Sequence, residues 1–357
     1  MTASISVVVP CHNGAARLRP TLAHIAAQRV PAGIQWDVIV VDNASTDGTG
    51  QAALAAWPAD APARIRVVPE EQLGLSHAHL RGFTEARAEL ICFVEDDNWI
   101  GADYIATAVE ILSQDPEVGA CGGRSDPVCE LPPPVWFDRF RHCYATGTQG
   151  ERSGDVTWGR GWLWGAGLVV RRAAWQSLVD RGFTPLLVDR QGTRLNSGGD
   201  MEICFAMRLL GWKIWYDSRL RLQHFLQAHR LSWTYLCRLS RGVGAADVGL
   251  DPYRFAAHRD GGTMWSKVRR IWTCQVALAL LRLLRSPLNL IPAWRRKREG
   301  DPVGIATEYK LGRLMELLAW RGRYESVIAD VEQRYAGVAF DVSGDPSTRR
   351  AGSRVRR

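Results

Sequence analysis

Short apolar segments alternate with amphipathic ones along the first 125 residues of the chain. The apolar segments are rich in valine and isoleucine, which is typical of strands buried on both faces of a sheet. They predict strands at 5–9, 37–41, 64–68, 90–95 and 118–121. The segments between them predict helices at 15–28, 49–57, 75–86 and 102–113. Strands that alternate with helices predict an α/β fold with a parallel sheet.

Polar loops follow three of the predicted strands. Residues 10–13, 42–48 and 96–98 come after the first, second and fourth strands, and the last two loops are acidic. Because the carboxyl ends of parallel strands form the ligand crevice of such a sheet, these loops predict a binding site. Aspartates in this position favour a divalent metal ion or a ribose hydroxyl over a bare phosphate.

The acidic run 95–97, Glu-Asp-Asp, is the strongest sign of a cation site in this crevice. Three adjacent carboxylates repel one another, so a cation that neutralises them is favoured. Asp42 is suited to hold a ribose or a base edge. Ser45 and Asp47 precede a predicted helix and are equally well explained as caps of its N-terminus.

A series of short motifs extends in order from residue 4 to about residue 246. It comprises SVVVP at 6–10 with Asn13, VDNASTDGT at 41–49, GLS at 74–76 with Gly82, EDD at 95–97, WGAG at 164–167, GDME at 199–202, GW at 211–212 and His224. In order and spacing, these motifs resemble those of the inverting glycosyltransferases of family 2. The resemblance implies a GT-A fold, in which helices flank a Rossmann-like mixed sheet, and a nucleotide-sugar donor.

The resemblance also implies a catalytic centre. Asp200 would be the base that deprotonates the acceptor hydroxyl, and Glu202 would be the second acid of the same motif. Asp97 and His224 would hold Mn²⁺ or Mg²⁺, which stabilises the leaving diphosphate. Two alternatives remain open from the residues alone, because Asp200 could cap a helix and His224 could be a core histidine.

The donor site implied by the resemblance is larger. It comprises Pro10, His12, Asn13, Asp42, Ser45, Asp47, Gly74, Arg81 and Asp96. In this set Pro10 and His12 would meet the nucleobase and Asp42 would hydrogen-bond it. Arg81 is included because the family often has Arg-Asn where this chain has His79-Leu80. UDP is the expected nucleotide, with GDP and dTDP as alternatives.

A tryptophan-rich segment between residues 158 and 164 is a candidate acceptor site. Trp162 and Trp164 could stack on an acceptor sugar, although core packing explains each of them as well. The chain departs from the family at Gly199, where a glutamate is usual. Leu231 also stands where the family's membrane-embedded polymer synthases have tryptophan. The departure at Leu231 and the absence of predicted spanning helices favour transfer of a single sugar. Gly199 and His79 leave a catalytically weak sugar-binding protein as the alternative.

The predicted domains differ in charge. Residues 1–246 form the transferase domain, with a nucleotide-binding half (1–125) and an acceptor-binding half (126–246). A basic helical extension (247–344) and a disordered basic tail (345–357) follow. From residue 264 onward there are 19 Lys and Arg against nine Asp and Glu, and residues 264–298 contain no acid. That segment could attach peripherally to an anionic membrane, or its helices could pack on the transferase domain.

Several other classes are excluded or disfavoured. The first βα turn lacks the GxGxxG of NAD-binding enzymes, and no P-loop occurs. A nucleic-acid partner is not expected, because the basic residues lie outside the α/β part and the crevice carries carboxylates. The eight scattered cysteines and the absence of a signal sequence predict a cytoplasmic protein, with the inner membrane face as its site of peripheral attachment. The acceptor is expected to be a saccharide or a lipid-linked saccharide.

Overall fold

The computed structural model describes residues 3–187, 197–257, 267–284 and 298–338. The strands are β1 (Ser4–Cys11), β2 (Gln35–Asn43), β3 (Arg64–Glu70), β4 (Leu90–Phe93), β5 (Asn98–Ile100), β6 (Val118–Cys129), β7 (Gly154–Asp155), β8 (Val169–Arg171) and β9 (Lys213–Leu226). The helices are α1 (Leu18–Ala26), α2 (Thr49–Ala56), α3 (Leu75–Glu85), α4 (Tyr104–Gln114), α5 (Phe137–Phe140), α6 (Arg172–Asp180), α7 (Gly199–Arg208), α8 (Trp233–Gly249), α9 (Asp251–Ala257), α10 (Trp272–Leu284), α11 (Pro302–Ala319) and α12 (Tyr324–Arg334). Two 3₁₀ turns, Arg141–Tyr144 and Ala228–Leu231, complete the described elements.

These strands form one mixed sheet. Its order is β3-β2-β1-β4-β8-β6-β9-β5, and β7 pairs with β9. β1 runs parallel to β2 and β4, and β2 runs parallel to β3. β8 is antiparallel to both of its neighbours, β4 and β6. The first four strands therefore have the predicted parallel arrangement, and β8 makes the whole sheet mixed.

Helices cover both faces of the parallel part, which explains why its strands are apolar throughout. On one face, Ile5 and Val9 of β1 pack in the same core as Leu22 of α1. On the other face, Val8 packs in the core that contains Phe83 of α3. Because successive side chains of a strand alternate between faces, β1 contributes to two separate cores.

The predicted strands and helices of the first 125 residues correspond to observed elements, with ends that differ by a few residues. Three short strands were not predicted. β5, β7 and β8 have only two or three residues each, too few to produce a periodic pattern. β6 also continues well beyond the predicted segment 118–121. Its second part was not predicted, because that part is half-buried and mixes polar with apolar residues.

Two of the C-terminal helices, α8 and α11, pack closely on each other through two glycines. A Cβ at Gly244 of α8 would lie 2.0 Å from the carbonyl oxygen of Tyr309, and one at Gly312 of α11 would lie 1.9 Å from that of Arg241. Only glycine allows the two backbones to approach so closely. The predicted domain boundary after residue 246 falls near the end of α8.

The basic segment 264–298 is described only over 267–284 and at residue 298. Helix α10 covers the predicted amphipathic stretch and packs against α11, where the Trp272 indole N–H donates to the carbonyl of Leu317 at 2.6 Å. Among the described helices, none is both long and apolar enough to cross a bilayer. Trp265, Trp294, most of the basic run 295–298 and the tail 345–357 lie outside the described residues.

Candidate functional site

The loops after β1 and β2 are joined by hydrogen bonds between their side chains and backbones. Asn13, with φ of 48°, donates its backbone N–H to Ser45 Oγ at 3.0 Å. Its Oδ1 accepts from the backbone N–H of Thr46 at 2.8 Å. The His12 ring lies with Nδ1 2.7 Å from the carbonyl oxygen of Asn43. Asn13 and Ser45 therefore shape the crevice by holding one loop against the other.

Asp47 has a similar fastening role. Its Oδ2 accepts from the Ala15 N–H at 3.0 Å, and its Oδ1 accepts from the N–H of Thr49, the first residue of α2, also at 3.0 Å. The hydrogen bonds from Thr49 outweigh partial burial and lower the pKa of Asp47. Asp47 thus binds the first N–H of α2 from the position before the N-cap residue Gly48, which agrees with the helix-capping alternative, whereas Ser45 binds Asn13 instead.

Asp42 differs from its neighbours because one of its carboxylate oxygens has no partner. Oδ1 is buried and accepts no hydrogen bond from the described residues. Pro10, the residue before the end of β1, is buried and lies in register with Val41 of β2. Gly74, with φ of 144°, donates its N–H to Asn43 Oδ1 at 2.8 Å and so fixes the start of α3 beside Asp42's strand. An unpartnered buried acceptor is suited to an N–H donor supplied by a ligand.

The three adjacent carboxylates of the acidic run have different surroundings. Asp96 accepts from the Arg17 guanidinium at 2.6 Å and from the Cys11 thiol at 3.2 Å, both through Oδ2. Burial raises the pKa of Asp96 and the Asp97 carboxylate adds to the rise, while Arg17 opposes it. Arg17 was not among the predicted site residues. It stands alone in a helical segment, where nothing in the local pattern marks it.

Asp97 lies in a second cluster. Its Oδ2 accepts from Arg230 Nη1 at 2.7 Å and lies 3.4 Å from His224 Nε2, while its Oδ1 accepts from the Asn98 amide at 2.9 Å. His224 and Arg230 are both almost fully buried. Because Asn98 of β5 is aligned with His224 of β9, the short strand β5 brings the acidic run to the histidine.

The fit of a divalent cation to this cluster can be judged from its donors. The described residues contain no group of three or more His, Cys, Asp or Glu side chains placed to hold a metal ion. Asp97 and His224 present an oxygen and a nitrogen at a separation suited to two adjacent ligands at about 2.1 Å each. Mg²⁺ sites that substrate phosphates and water complete need only one or two carboxylates from the protein. Asp97 with His224 therefore fits such a site, and Arg230 Nη1 is a competing cation that lies 2.7 Å from Asp97 Oδ2 and 3.4 Å from His224 Nε2.

Asp200 is positioned at the N-terminus of α7. Its Oδ2 accepts from the Gly165 N–H at 2.7 Å and its Oδ1 accepts from the Met201 N–H at 2.8 Å. Burial raises the pKa of Asp200 to about 6, and the nearby Glu95 adds to the rise, whereas the two N–H groups oppose it. The result is a fixed carboxylate that is ionised at neutral pH and more basic than an ordinary aspartate.

Glu202 points away from Asp200, since two positions along a helix are separated by about 200° around its axis. It is fully buried and accepts from the N–H groups of Leu186 and Leu187 at 2.8 and 3.0 Å, and from the Tyr253 hydroxyl at 2.7 Å. Burial raises the pKa of Glu202 to about 7 against the effect of these donors. The structure therefore does not bring the two predicted acids of this motif together.

An arginine side chain lies over the rings of the two tryptophans that were predicted to bind the acceptor sugar. The Arg160 guanidinium lies 3.7 Å from the ring centroid of Trp162 and 4.9 Å from that of Trp164. Burial lowers the pKa of Arg160 to about 10, with Asp200 opposing the shift. Trp164 is buried and Trp162 half-buried, so these rings both pack and border open space.

A cavity of about 790 Å³ collects several of these groups. The part of its wall that is relevant to chemistry includes Glu95, Trp162, Trp164, Asp200, His224 and Arg230. Asp97 stands directly behind this wall through its contacts with His224 and Arg230. Arg81 is elsewhere, paired with Glu85 one turn along α3 at 3.0 Å. Arg230 was not among the predicted site residues, because its contact with Asp97 joins residues far apart in the chain.

The sequence and the fold are similar to those of known proteins. Residues 6–174 match the family model described as Glycosyl transferase family 2. The chain is 32% identical over 103 residues to Glycosyltransferase GlyA of Streptococcus pneumoniae serotype 4 (strain ATCC BAA-334 / TIGR4), covering 29% of this chain and 14% of that protein. It is 28% identical over 110 residues to the undecaprenyl-phosphate 4-deoxy-4-formamido-L-arabinose transferase of Pseudomonas aeruginosa (strain LESB58), covering 31% of this chain and 32% of that protein. The chain thus spans less than a third of the length of either relative.

A solved structure extends the likeness to nearly the whole chain. The mannosyltransferase PcManGT from Pyrobaculum calidifontis, in complex with GDP-Man and Mn²⁺, superposes with a TM-score of 0.52 at 20% identity. The superposition covers 93% of this chain and 86% of that one. The predicted GT-A fold is confirmed by this likeness together with the mixed sheet and its flanking helices.

Proposed function

We propose that this chain, whose residues 6–174 match the family model described as Glycosyl transferase family 2, is a member of that family and moves one sugar from a nucleotide-sugar to an acceptor hydroxyl. We further propose that it acts in the assembly of a cell-surface polysaccharide or glycolipid, which agrees with the lipid phosphate in the name of one relative. The observation that carries the proposal is the Asp200 carboxylate, which borders the cavity and is held by two backbone N–H groups.

Asp200 is the proposed general base. Its carboxylate accepts the proton of the acceptor hydroxyl as that oxygen attacks the anomeric carbon from the side opposite the diphosphate, so the anomeric configuration inverts. The new bond is between the acceptor oxygen and the anomeric carbon, and the bond that breaks is between this carbon and the diphosphate oxygen. A raised pKa makes Asp200 a stronger base without protonating it at neutral pH.

The donor nucleotide is assigned to the crevice at the ends of β1 and β2. Asp42 Oδ1 is the buried acceptor there that lacks a partner among the described residues, and a base N–H such as the N3–H of uracil would satisfy it. His12 and Pro10 lie on the neighbouring strand end. We propose UDP as the first nucleotide to test, with GDP and dTDP as alternatives because guanine and thymine present a similar N–H.

Positive charge for the leaving diphosphate is assigned to the cluster around Asp97. Asp97 and His224 would hold Mn²⁺ or Mg²⁺, which supplies this charge when bound. Arg230 borders the same cavity and adds a fixed positive charge beside it. Glu202 is given a positioning role, because its carboxylate holds the backbone at 186–187 and does not border the cavity.

Nucleotide release from a panel of UDP-, GDP- and dTDP-sugars, with and without Mn²⁺, tests this proposal. The native chain is compared with Asp97→Ala, with Asp200→Asn and with a control, Asp60→Asn, at an exposed aspartate between α2 and β3. We expect one donor to be turned over in a metal-dependent manner by the native and control proteins and not by Asp97→Ala. Nucleotide binding without turnover on any acceptor supports a sugar-binding protein, and absence of nucleotide binding contradicts the proposal.

A further inference from the structure

The cavity that contains Asp200 continues beyond the proposed catalytic groups. Leu239 and Val243 of α8, Ala279 of α10, and Ile305 and Ala306 of α11 form part of the same wall. All these helices lie outside the 6–174 segment that matches the family model. We call the part of the cavity that they enclose the helical chamber.

The five residues just named are all aliphatic, and Ser240 of α8 and Tyr309 of α11 border the cavity beside them. Aliphatic groups offer neither hydrogen bonds nor aromatic faces to a sugar, and a polar ligand placed among them loses its hydration without replacement. An apolar chain in the same place gains by leaving water. Burial of such a chain is therefore the favourable use of this space, whereas the tryptophans beside Asp200 suit the sugar that reacts.

Cations border the cavity beside these aliphatic residues. Arg139 of α5, Arg282 of α10 and Lys310 of α11 all contribute to its wall. None of the ion pairs among the described residues involves any of the three. The Lys310 ammonium donates only to the carbonyl oxygen of Arg282, at 3.3 Å, among the described residues. Arg313, also on α11, instead forms ion pairs with Asp247 of α8 and Asp251 of α9. The three cations are thus available to an anionic ligand.

The outward side of α10 is apolar as well. Leu280, Leu281 and Leu284 are 43%, 55% and 56% exposed, whereas Gln275, Ala279 and Leu283 of the same helix are buried. A surface helix normally carries polar residues on its outward side. The helix that walls the chamber is therefore apolar towards both the cavity and the exterior, as expected of a wall past which a lipid chain is taken up.

We propose that the helical chamber binds the non-reacting part of the acceptor, and that this part is an apolar chain joined to the acceptor through a phosphate or diphosphate. The chain lies between α8, α10 and α11, the anionic group meets Arg282 and Lys310, and the reacting hydroxyl reaches Asp200. This inference rests on the proposed transferase function, whose acceptor class it names.

Dodecyl phosphate below its micellar concentration is the probe for the chamber. Dodecanol and inorganic phosphate are the comparison ligands, because each represents one half of the probe, the apolar chain or the anionic group. Binding is measured by calorimetry on the full chain, and donor turnover is measured on the same samples. We expect dodecyl phosphate to bind at least about tenfold more tightly than either half, since apolar burial and charge pairing act together.

Two matched pairs of variants locate the binding. Ala306→Trp fills the chamber from an exposed position on α11, and Ala319→Trp adds the same ring at an exposed position on that helix away from the cavity. Lys310→Glu reverses charge at the cavity wall, and Lys267→Glu does so at an exposed residue that does not border it. We expect Ala306→Trp and Lys310→Glu each to weaken dodecyl phosphate about tenfold and the two controls to leave it unchanged.

The outcomes separate this inference from the proposed function. Donor turnover together with dodecyl phosphate binding that Ala306→Trp does not weaken would overturn the acceptor inference alone. Equal affinity for inorganic phosphate and dodecyl phosphate would also overturn it, because the chain would then contribute nothing. Failure to bind or turn over any nucleotide-sugar would overturn the proposed function. Loss of dodecyl phosphate binding in Ala306→Trp but not in Ala319→Trp, together with donor turnover by the native protein, supports both.

Discussion

The donor crevice and the helical chamber are built in opposite ways. In the crevice, short polar side chains at neighbouring strand ends bind one another, as Asn13 binds Ser45 and Thr46. In the chamber, aliphatic residues from three helices leave open space between them, and Val243 and Ala306 come from positions far apart in the chain. Hydrogen bonds between its own residues fix the shape of the crevice. The chamber is instead an open space between side chains that do not fill it.

This difference explains how each region is expected to respond to substitution. A crevice residue can act either on the ligand or on the loop that carries it, and the two effects are separable by measuring nucleotide affinity beside stability. A chamber residue that is exposed to the cavity can be enlarged at little cost in stability, because exposed positions tolerate change within about 0.5 kcal/mol. The predictions below test this division, beginning at the point where the two regions meet.

The largest effect is expected at Asp200, which lies between the regions. Asp200→Asn removes the proposed base while keeping the side chain's shape, so kcat for transfer should fall by about 10²- to 10⁴-fold. UDP affinity, which depends on the crevice, should stay unchanged by calorimetry. Asp60→Asn is the matched control and should behave as the native protein. Transfer at the native rate by Asp200→Asn would show that another group accepts the proton.

The next effect concerns Glu202 and stability rather than transfer. Because burial raises its pKa to about 7 from the ordinary value of 4.5, the folded protein binds more protons than the unfolded chain between these pH values. Stability contributed at this site therefore falls as pH rises from 4.5 to 7. The free energy of unfolding of the native protein should fall by up to about 3 kcal/mol relative to Glu202→Gln over this range.

Chemical denaturation at several pH values measures that difference. Glu71→Gln, at an exposed glutamate, is the control and should follow the native protein throughout. Parallel pH profiles for the native protein and Glu202→Gln would contradict the prediction. If Glu202→Gln instead lost transfer with unchanged stability, the residue would act on substrate and the positioning role would be wrong.

Asp42 should have an effect on ligand affinity of intermediate size. Asp42→Asn replaces the unpartnered acceptor with a neutral amide, so UDP should bind about ten- to a hundredfold more weakly, as expected for a lost hydrogen bond to a charged group. Stability should not fall, because no described residue loses a hydrogen bond to Oδ1. Calorimetry and thermal unfolding measure the two quantities. Unchanged UDP affinity would remove Asp42 from the donor site.

Asp47 provides the contrast within the crevice and the smallest effect. Asp47→Ala loses two backbone hydrogen bonds, including the cap on α2, and should cost about 0.5–2 kcal/mol of stability. UDP affinity should change by less than about threefold, since the loop still closes through Asn13 and Ser45. A decrease in affinity equal to that of Asp42→Asn would show that Asp47 contacts the nucleotide.

Much of the fold could be predicted because periodic burial is visible in the sequence. The strands β1, β2 and β4 have apolar centres, and β1 and β2 are long enough to show a pattern of burial. The site was only partly predictable, since Glu95, Asp96 and Asp97 are adjacent in the chain but have three different surroundings. The separation of Asp200 from Glu202 follows from helical geometry, so it could have been predicted from their spacing in the sequence.

The chamber could not be predicted for a different reason. Its walls consist of ordinary aliphatic residues whose pattern is that of any packed helix, and an unfilled space leaves no mark on a sequence. Arg230 is similar, because its ion pair with Asp97 joins residues more than 130 positions apart. What defines these features is distance in three dimensions rather than local composition.

The close contact of α8 with α11 at Gly244 and Gly312 has an evolutionary consequence. Two glycines fix the spacing of these helices, and the residues around the space are free to vary in size without moving the proposed catalytic carboxylate. If the proposed function holds, descendants of one ancestral enzyme could adopt new acceptors by exchanging a few aliphatic side chains, while the proposed nucleotide-binding half of the chain remained under separate selection.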